Sequence, residues 1–174
     1  MVARTILAVS IAALCLSGCG DTATTPTGTA GTTPTTAVVA SVTDGDTVRV
    51  RIGGGTTRAV RLLGVDAPEV RHPDQAEECY GDEATRIAGE LMPVGASVRL
   101  VADPTQDRID RYGRLLAYVH RRGATVSVNE TLVARGAATV YVYRDRPFTR
   151  HAAFVAAESE ARKARRGLWA ACRS

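Results

Sequence analysis

The chain has 174 residues, with 22 Lys and Arg against 18 Asp and Glu, a formal balance of +4. That length excludes several large domains once an N-terminal leader is set aside, and suits one core. The basic balance fits a polyanionic partner, and Lys163 is the one lysine among many arginines.

Residues 2–19 read as an export segment. Arg4 gives a positive start, and Ile6 to Leu16 is an apolar stretch of about ten residues, too short for a membrane span. Leu16-Ser17-Gly18-Cys19 resembles the lipobox of bacterial lipoproteins, which would make 1–18 a signal peptide and Cys19 a lipidated N-terminus. An ordinary signal peptide cut near the same place is the alternative. Residues 19–37 are mostly Thr, Gly, Pro and Ala and read as a disordered tether. As a flexible coil it would span on the order of 25 Å. Residues 38–174 form the expected domain.

Val38–Val42 is a short apolar run. Thr47 to Ile52 alternates polar and apolar residues, as a half-buried strand does. Gly53-Gly54-Gly55 turns the chain, and Thr56 to Leu63 returns as the second strand of a hairpin. Asp82 is placed to cap a helix running to Met92, with Ala84, Ile87, Ala88 and Leu91 on one face. Ser97–Val101 and Leu115–His120 read as further strands around a polar segment, 103–111. Ser127 and Glu130 form a capping-box pattern, and Gly136 closes that helix. Ala138–Tyr143 is apolar and ends in aromatics, and a last helix is expected from Thr149 to about Arg166. Strands early and helices later give an α+β pattern around a small closed or partly closed sheet.

Cys15 leaves with the leader and Cys19 would carry the lipid, so Cys79 and Cys172 are the two cysteines of the expected domain. An even number in an exported chain fits a disulfide, which in the chain-entropy model would contribute roughly 4 kcal/mol. Two free or buried thiols are the alternative. With no adjacent histidine the pair does not make a zinc site. His72, His120 and His151 are scattered, and each reads as a surface residue.

The chemistry concentrates in three stretches: Asp44-Gly45-Asp46-Thr47, Arg61 to Glu69, and Asp110 to Arg114. Asp44, Asp46 and Asp66 are hard oxygen donors of the kind that binds Ca²⁺, although Asp-Gly-Asp-Thr alone also makes an ordinary turn. Arg61 lies in an apolar run and is either a solvent-face residue or aimed at a ligand. Arg114 begins a strand after a Tyr-Gly turn. Together they resemble a phosphate clamp. Glu69 follows Pro68, whose fixed φ stiffens the turn, and a carboxylate there could orient or deprotonate a water.

With these motifs in this order, the chain resembles the staphylococcal nuclease (thermonuclease) family from about Val42 to Trp169. The matching stretches are Asp44-Gly45-Asp46-Thr47, Arg61-Leu62-Leu63-x-Val65-Asp66-x-Pro68-Glu69, Tyr80-Gly81-x-Glu83-Ala84, Asp110 to Tyr118, Val128 to Val133 and Tyr141-Val142-Tyr143. The resemblance implies an OB-fold-like five-stranded β-barrel with three helices. It implies a Ca²⁺-dependent endonuclease acting on DNA and RNA, breaking the 5′ P–O bond to leave 3′-phosphate ends. By the same resemblance Asp46, Asp66 and the Ala67 carbonyl bind calcium, and Arg61 and Arg114 bind the phosphate in the transition state. Glu69 takes the general-base or water-orienting position. Arg111, Tyr112, Tyr141 and Tyr143 occupy substrate-pocket positions, where an aromatic needs only a π-face against a base. Ala67 stands where the family usually has Thr, and Arg111 where it usually has Lys. The expected protein is an exported, lipid-anchored or secreted monomer. A non-catalytic module holding nucleic acid or a protein on the same barrel is the alternative.

Overall fold

A computed structural model describes residues 33–70 and 76–172. The export segment, Cys19, most of the tether and His72 lie outside the described residues. Seven strands and four helices follow in order: β1 (Thr35–Val42), β2 (Thr47–Ile52), β3 (Thr57–Leu62), β4 (Val65–Asp66), α1 (Gly81–Leu91), β5 (Ser97–Val101), β6 (Leu115–Arg121), α2 (Val128–Ala134), β7 (Thr139–Val140), α3 (His151–Lys163) and α4 (Leu168–Ala171). Five strands close into a barrel in the order β1-β2-β3-β6-β5, and β5 pairs back onto β1. The β3–β6 pair is parallel and the others antiparallel. The expected α+β barrel with three helices is present, with one-turn α4 added at the end.

The β2–β3 hairpin follows from alternation. Val48 and Val50 point into the core at 0% exposure, and Arg49 and Arg51 point out. Gly53 and Gly54 turn the chain with φ of 59° and 73°, a region that costs a side-chain-bearing residue steric strain. β1 starts at Thr35, so Thr35–Ala37, which composition assigns to the tether, instead pair with Val98–Leu100. β-branched threonine suits a strand once a partner edge is present. A register shift between Val39 and Ser41 bends β1, so that it pairs with β2 on one side and β5 on the other.

The helices pack over this barrel. α1 is not capped by Asp82. Tyr80 enters it in the left-handed conformation (φ 78°) with no side-chain cap, while Asp82 and Glu83 sit in its first turn, where they complement the helix dipole. Half of the α2 capping box forms: the Ser127 Oγ accepts from the Glu130 N–H at 3.2 Å, while the Glu130 carboxylate pairs with Arg150 at 2.6 Å instead of reaching back. Gly136 (φ 67°) ends it, donating to the Val133 carbonyl while Ala137 donates to that of Leu132, the paired pattern of a Schellman cap. α3 starts at His151 and not Thr149, because Thr149 donates its N–H and hydroxyl to Asp103. Gly167 opens α4 and lies against Gly136, and a Cβ on either would fall 2.2 Å from a backbone oxygen. His120 on β6, read as surface, is buried at 6% exposure. Burial holds its imidazole below the usual range, aided by Arg99.

Val39, Val48, Val50, Val60, Leu62, Val98 and Val119 fill the core, each at 2% exposure or less. Full burial of such a side chain contributes roughly 1.5–3 kcal/mol. Outside the barrel, Phe154 packs edge to face with Tyr118 and Phe148, and Tyr118 and Phe148 are tilted against each other, at 5.1–6.4 Å between centroids. Cys79 and Cys172 are joined by a disulfide across 93 residues, tying the approach to α1 to the end of α4.

Candidate active site

Asp46 and Arg61 are brought together by the hairpin. The Leu62 N–H donates to the Asp46 carbonyl at 2.8 Å, extending the ladder by one rung, and Thr47 pairs with Arg61. Arg61 has the outward parity of its strand, between inward Val60 and Leu62. Its Nη1 donates to the carbonyls of Val65 (2.6 Å) and Leu62 (3.1 Å). Its Nη2 lies 2.9 Å from Asp46 Oδ2 and 2.8 Å from Asp66 Oδ1. Asp46 Oδ2 also accepts the Ala67 N–H at 3.0 Å, and Oδ1 the Thr47 hydroxyl at 3.1 Å. Burial pushes the Asp46 carboxyl up to about 7, against the pull of Arg61 and the Ala67 amide. Asp44 turns back to accept the Asp46 N–H at 3.0 Å, so its observed part is to hold the loop.

Asp66 is placed by the small β4–β7 ladder, opposite Thr139, whose hydroxyl donates to the Asp66 carbonyl. The Tyr141 N–H donates to the Gly64 carbonyl at 3.0 Å. This anchors Tyr141 and Tyr143 beside Asp66, which explains how an apolar stretch late in the sequence reaches residues near 65. Gly64 (φ 79°) sits so close to Phe148 that a Cβ would fall 2.5 Å from the ring.

Arg114 is set by a turn built on Asp110. One Asp110 oxygen accepts the N–H groups of Tyr112 and Arg114, each at 2.9 Å, and the other accepts Arg114 Nε at 2.7 Å. Burial pulls the Asp110 carboxyl upward, but these hydrogen bonds outweigh it and hold it below its ordinary value. Among the described residues the two terminal nitrogens of Arg114 have no protein acceptor, so they remain available as donors. The guanidiniums of Arg111 and Arg114 lie 4.7 and 5.4 Å from the centre of the Tyr112 ring.

A cleft of 520 Å³ joins these parts. Arg61, Asp66, Arg111, Tyr112, Arg114, Tyr141 and Tyr143 all line it. Asp46 and Ala67 lie behind Arg61 and do not. Glu69 is on the turn after β4, outside the cleft lining. Burial, then the charges of Asp44, Asp66 and Glu78, raises its carboxyl above the ordinary value. Sequence reasoning missed Gln106, whose Nε2 donates to the Arg146 carbonyl at 3.0 Å, and the Arg146–Asp107 pair at 3.1 Å. These link two loops of the cleft wall, and nothing in a polar loop announces such a partner. It also missed Asn129, fully buried on α2, which donates to the Leu63 and Ala117 carbonyls and accepts from the Val119 N–H.

Two carboxylate oxygens converging on one nitrogen form a hard donor pair that suits a cation such as Ca²⁺. Among the described residues no three His, Cys, Asp or Glu side chains gather to hold an ion. A triad of Asp44, Asp46 and Asp66 is therefore not formed, and an ion on Asp46 and Asp66 would need backbone, water or substrate oxygens besides.

A closed five-stranded barrel whose rim sets two arginines, each held by a carboxylate, at one cleft defines an OB-like class with an anion-handling site. The model of the family described as staphylococcal nuclease homologue matches residues 59–171, and the chain belongs to that family. It is 41% identical over 128 residues to Endonuclease YncB of Bacillus subtilis (strain 168), covering 72% of this chain and 57% of that protein. It is 40% identical over 128 residues to SPbeta prophage-derived endonuclease YokF of the same organism, covering 72% and 41%. To Micrococcal nuclease of Shigella flexneri it is 33% identical over 138 residues, covering 75% and 71%. The chain thus spans about half the length of the two Bacillus proteins.

Proposed function

We propose that this chain is a calcium-dependent nuclease that hydrolyses phosphodiester bonds in DNA and RNA, exported and held to a membrane by a lipid on Cys19. One observation carries the chemical part: Arg61, bonded to Asp46 and Asp66, shares a cleft with Arg114. The names of the relatives support it. The Leu16–Cys19 motif supports the anchor.

In this reading Asp46 and Asp66, with the Ala67 carbonyl, would hold the ion. When bound, Ca²⁺ supplies Lewis-acid polarisation of the phosphodiester and charge neutralisation. The chain's own residues do the rest. Arg61 is held in place through Nη1 by two backbone carbonyls, and an ion taking the Asp46 and Asp66 oxygens would release its Nη2 to donate to a phosphate. Arg114, fixed through Nε by Asp110, offers its terminal nitrogens to the same group. Both stabilise the charge that builds on the phosphoryl oxygens. Glu69 orients a water or takes its proton. The water oxygen bonds to phosphorus as the bond from phosphorus to the 5′ oxygen breaks, the proton lost by the water ends on that oxygen so that it leaves as a hydroxyl, and the phosphate stays on the 3′ end. Tyr112, Tyr141 and Tyr143 offer ring faces to the neighbouring sugars and bases.

The test is cleavage of single-stranded DNA and of RNA by the purified chain with Ca²⁺ and with EGTA, followed by end-group analysis. Cleavage that stops in EGTA and leaves 3′-phosphates is expected. No calcium-dependent cleavage ends the proposal. Separately, Cys19→Ala should move the protein from the membrane fraction to the soluble one, and unchanged fractionation removes the anchor.

A further inference from the structure

The five barrel strands carry no Asp or Glu at all, yet they carry a row of arginines. Arg49 and Arg51 both point outward from β2. Thr47, two residues before Arg49, is the partner of Arg61. Successive residues on one side of a strand are about 6.6 Å apart, so the row leads stepwise away from the cleft. At the far end Arg99 on β5, with Arg121 at the end of β6 and Arg122 just after it, lines a concavity of 570 Å³ together with Thr36, Ser97 and Thr125. The lining offers guanidiniums and hydroxyls and no carboxylate. Among the described residues Arg49, Arg51, Arg99, Arg121 and Arg122 make no salt bridge, and all five are exposed. Arg121 lies seven residues along the chain from Arg114, about 23 Å of extended strand, so this concavity is not part of the cleft.

We infer that this arginine face is a second nucleic-acid site, holding the sugar–phosphate backbone of a long strand beyond the portion in the cleft. It deepens the nuclease reading and rests on it for the identity of the ligand. Guanidinium forks match phosphate oxygens bidentately, and a line of them tracks a repeating phosphate chain without reading its sequence. Arg51 pairs with Val38, which on its other side pairs with Ser97 of the concavity, and this continuity from Arg61 through Arg49 and Arg51 favours a strand that also enters the cleft. A membrane surface would need only the far end.

The experiment is fluorescence anisotropy of a 30-nucleotide single-stranded DNA titrated with the purified chain in EGTA, across a range of salt. The variant Arg99→Gln with Arg121→Gln and Arg122→Gln should raise Kd at least tenfold at low salt. It should also flatten the slope of log Kd against log salt by about 2, given roughly 0.7 per single-strand phosphate contact. The triple Arg→Lys variant at the same positions should keep most of the affinity, since it keeps the charge. Unchanged binding by the Gln variant overturns the inference. So does equal loss in the Gln and Lys variants accompanied by a fall in Tm, which would mark damage to the fold. Loss of binding to phosphatidylglycerol vesicles with DNA binding intact assigns the face to a membrane and overturns it as well. Because binding is read without metal, a chain that binds the strand here but never cleaves would end the nuclease reading and leave the second site standing.

Discussion

At the cleft end of the barrel, Arg61 and Arg114 are each bonded to carboxylates. At the other end, Arg99, Arg121 and Arg122 stand exposed with no acid on any neighbouring strand. The same side chain therefore plays two parts. A paired, partly desolvated guanidinium is aimed, and its geometry is set before any ligand arrives. An unpaired, solvated one contributes field rather than direction, and salt screens it. The cleft suits a step that depends on fractions of an ångström, and the far face suits attraction at long range.

The largest effect should come from the aimed pair. Arg61→Ala or Arg114→Ala is expected to lower kcat on single-stranded DNA by about 10²–10³ or more, whereas single far-face substitutions should act through KM and lose their effect at high salt. If Arg61→Ala and Arg99→Ala gave the same kcat, the contrast between the two ends would fail. Glu69→Gln should follow, with a loss of about 10²–10⁴ if it moves a proton, read from the pH dependence of kcat.

Asp103 sharpens the contrast as a fixed charge with a structural task. It is buried and accepts from the Thr105, Thr149 and Tyr118 hydroxyls and from two backbone N–H groups. Burial raises its carboxyl, but these bonds outweigh it and hold it below the ordinary value. A depressed folded-state value means its stabilisation is present above the unfolded carboxyl range and fades as pH falls through the folded one. Asp103→Asn should cost about 2–3 kcal/mol at neutral pH and less in acid, measured by denaturant unfolding at several pH values. A constant difference across pH would refute that role. The smallest effect belongs to Ser127→Ala, about 1 kcal/mol from loss of the α2 cap, with cleavage unchanged.

Much of this was legible in sequence where the signal is local. The β2–β3 hairpin, the α2 cap and the Schellman end at Gly136 each follow from residues within a few positions. The candidate site residues each read alone as turn or solvent-face residues, and it is the order of the motifs, with the family they resemble, that singles them out. What was hidden depends on distant partners. Thr35–Ala37 look like linker until β5 supplies an edge. Tyr80 starts α1 through backbone conformation, which leaves no capping side chain to read. The parallel β3–β6 pairing and the burial of His120 arise from closure of the barrel, and Gln106 acquires its partners only when Arg146 and Pro147 come round to meet it.

Asn129 deserves a last consequence. Arg61 rides on β3 and Arg114 immediately precedes β6, so the span between the two arginines depends on how those strands are held. One amide, reaching out of α2, grips both: the Leu63 carbonyl just past β3, and the Ala117 carbonyl and Val119 N–H on β6. The gauge of the cleft is therefore regulated from behind, by a side chain that never meets a ligand. An aspartate there would be nearly the same shape, yet it would face two carbonyls with nothing to donate. A change invisible from the cleft would reset the distance at which the two arginines work.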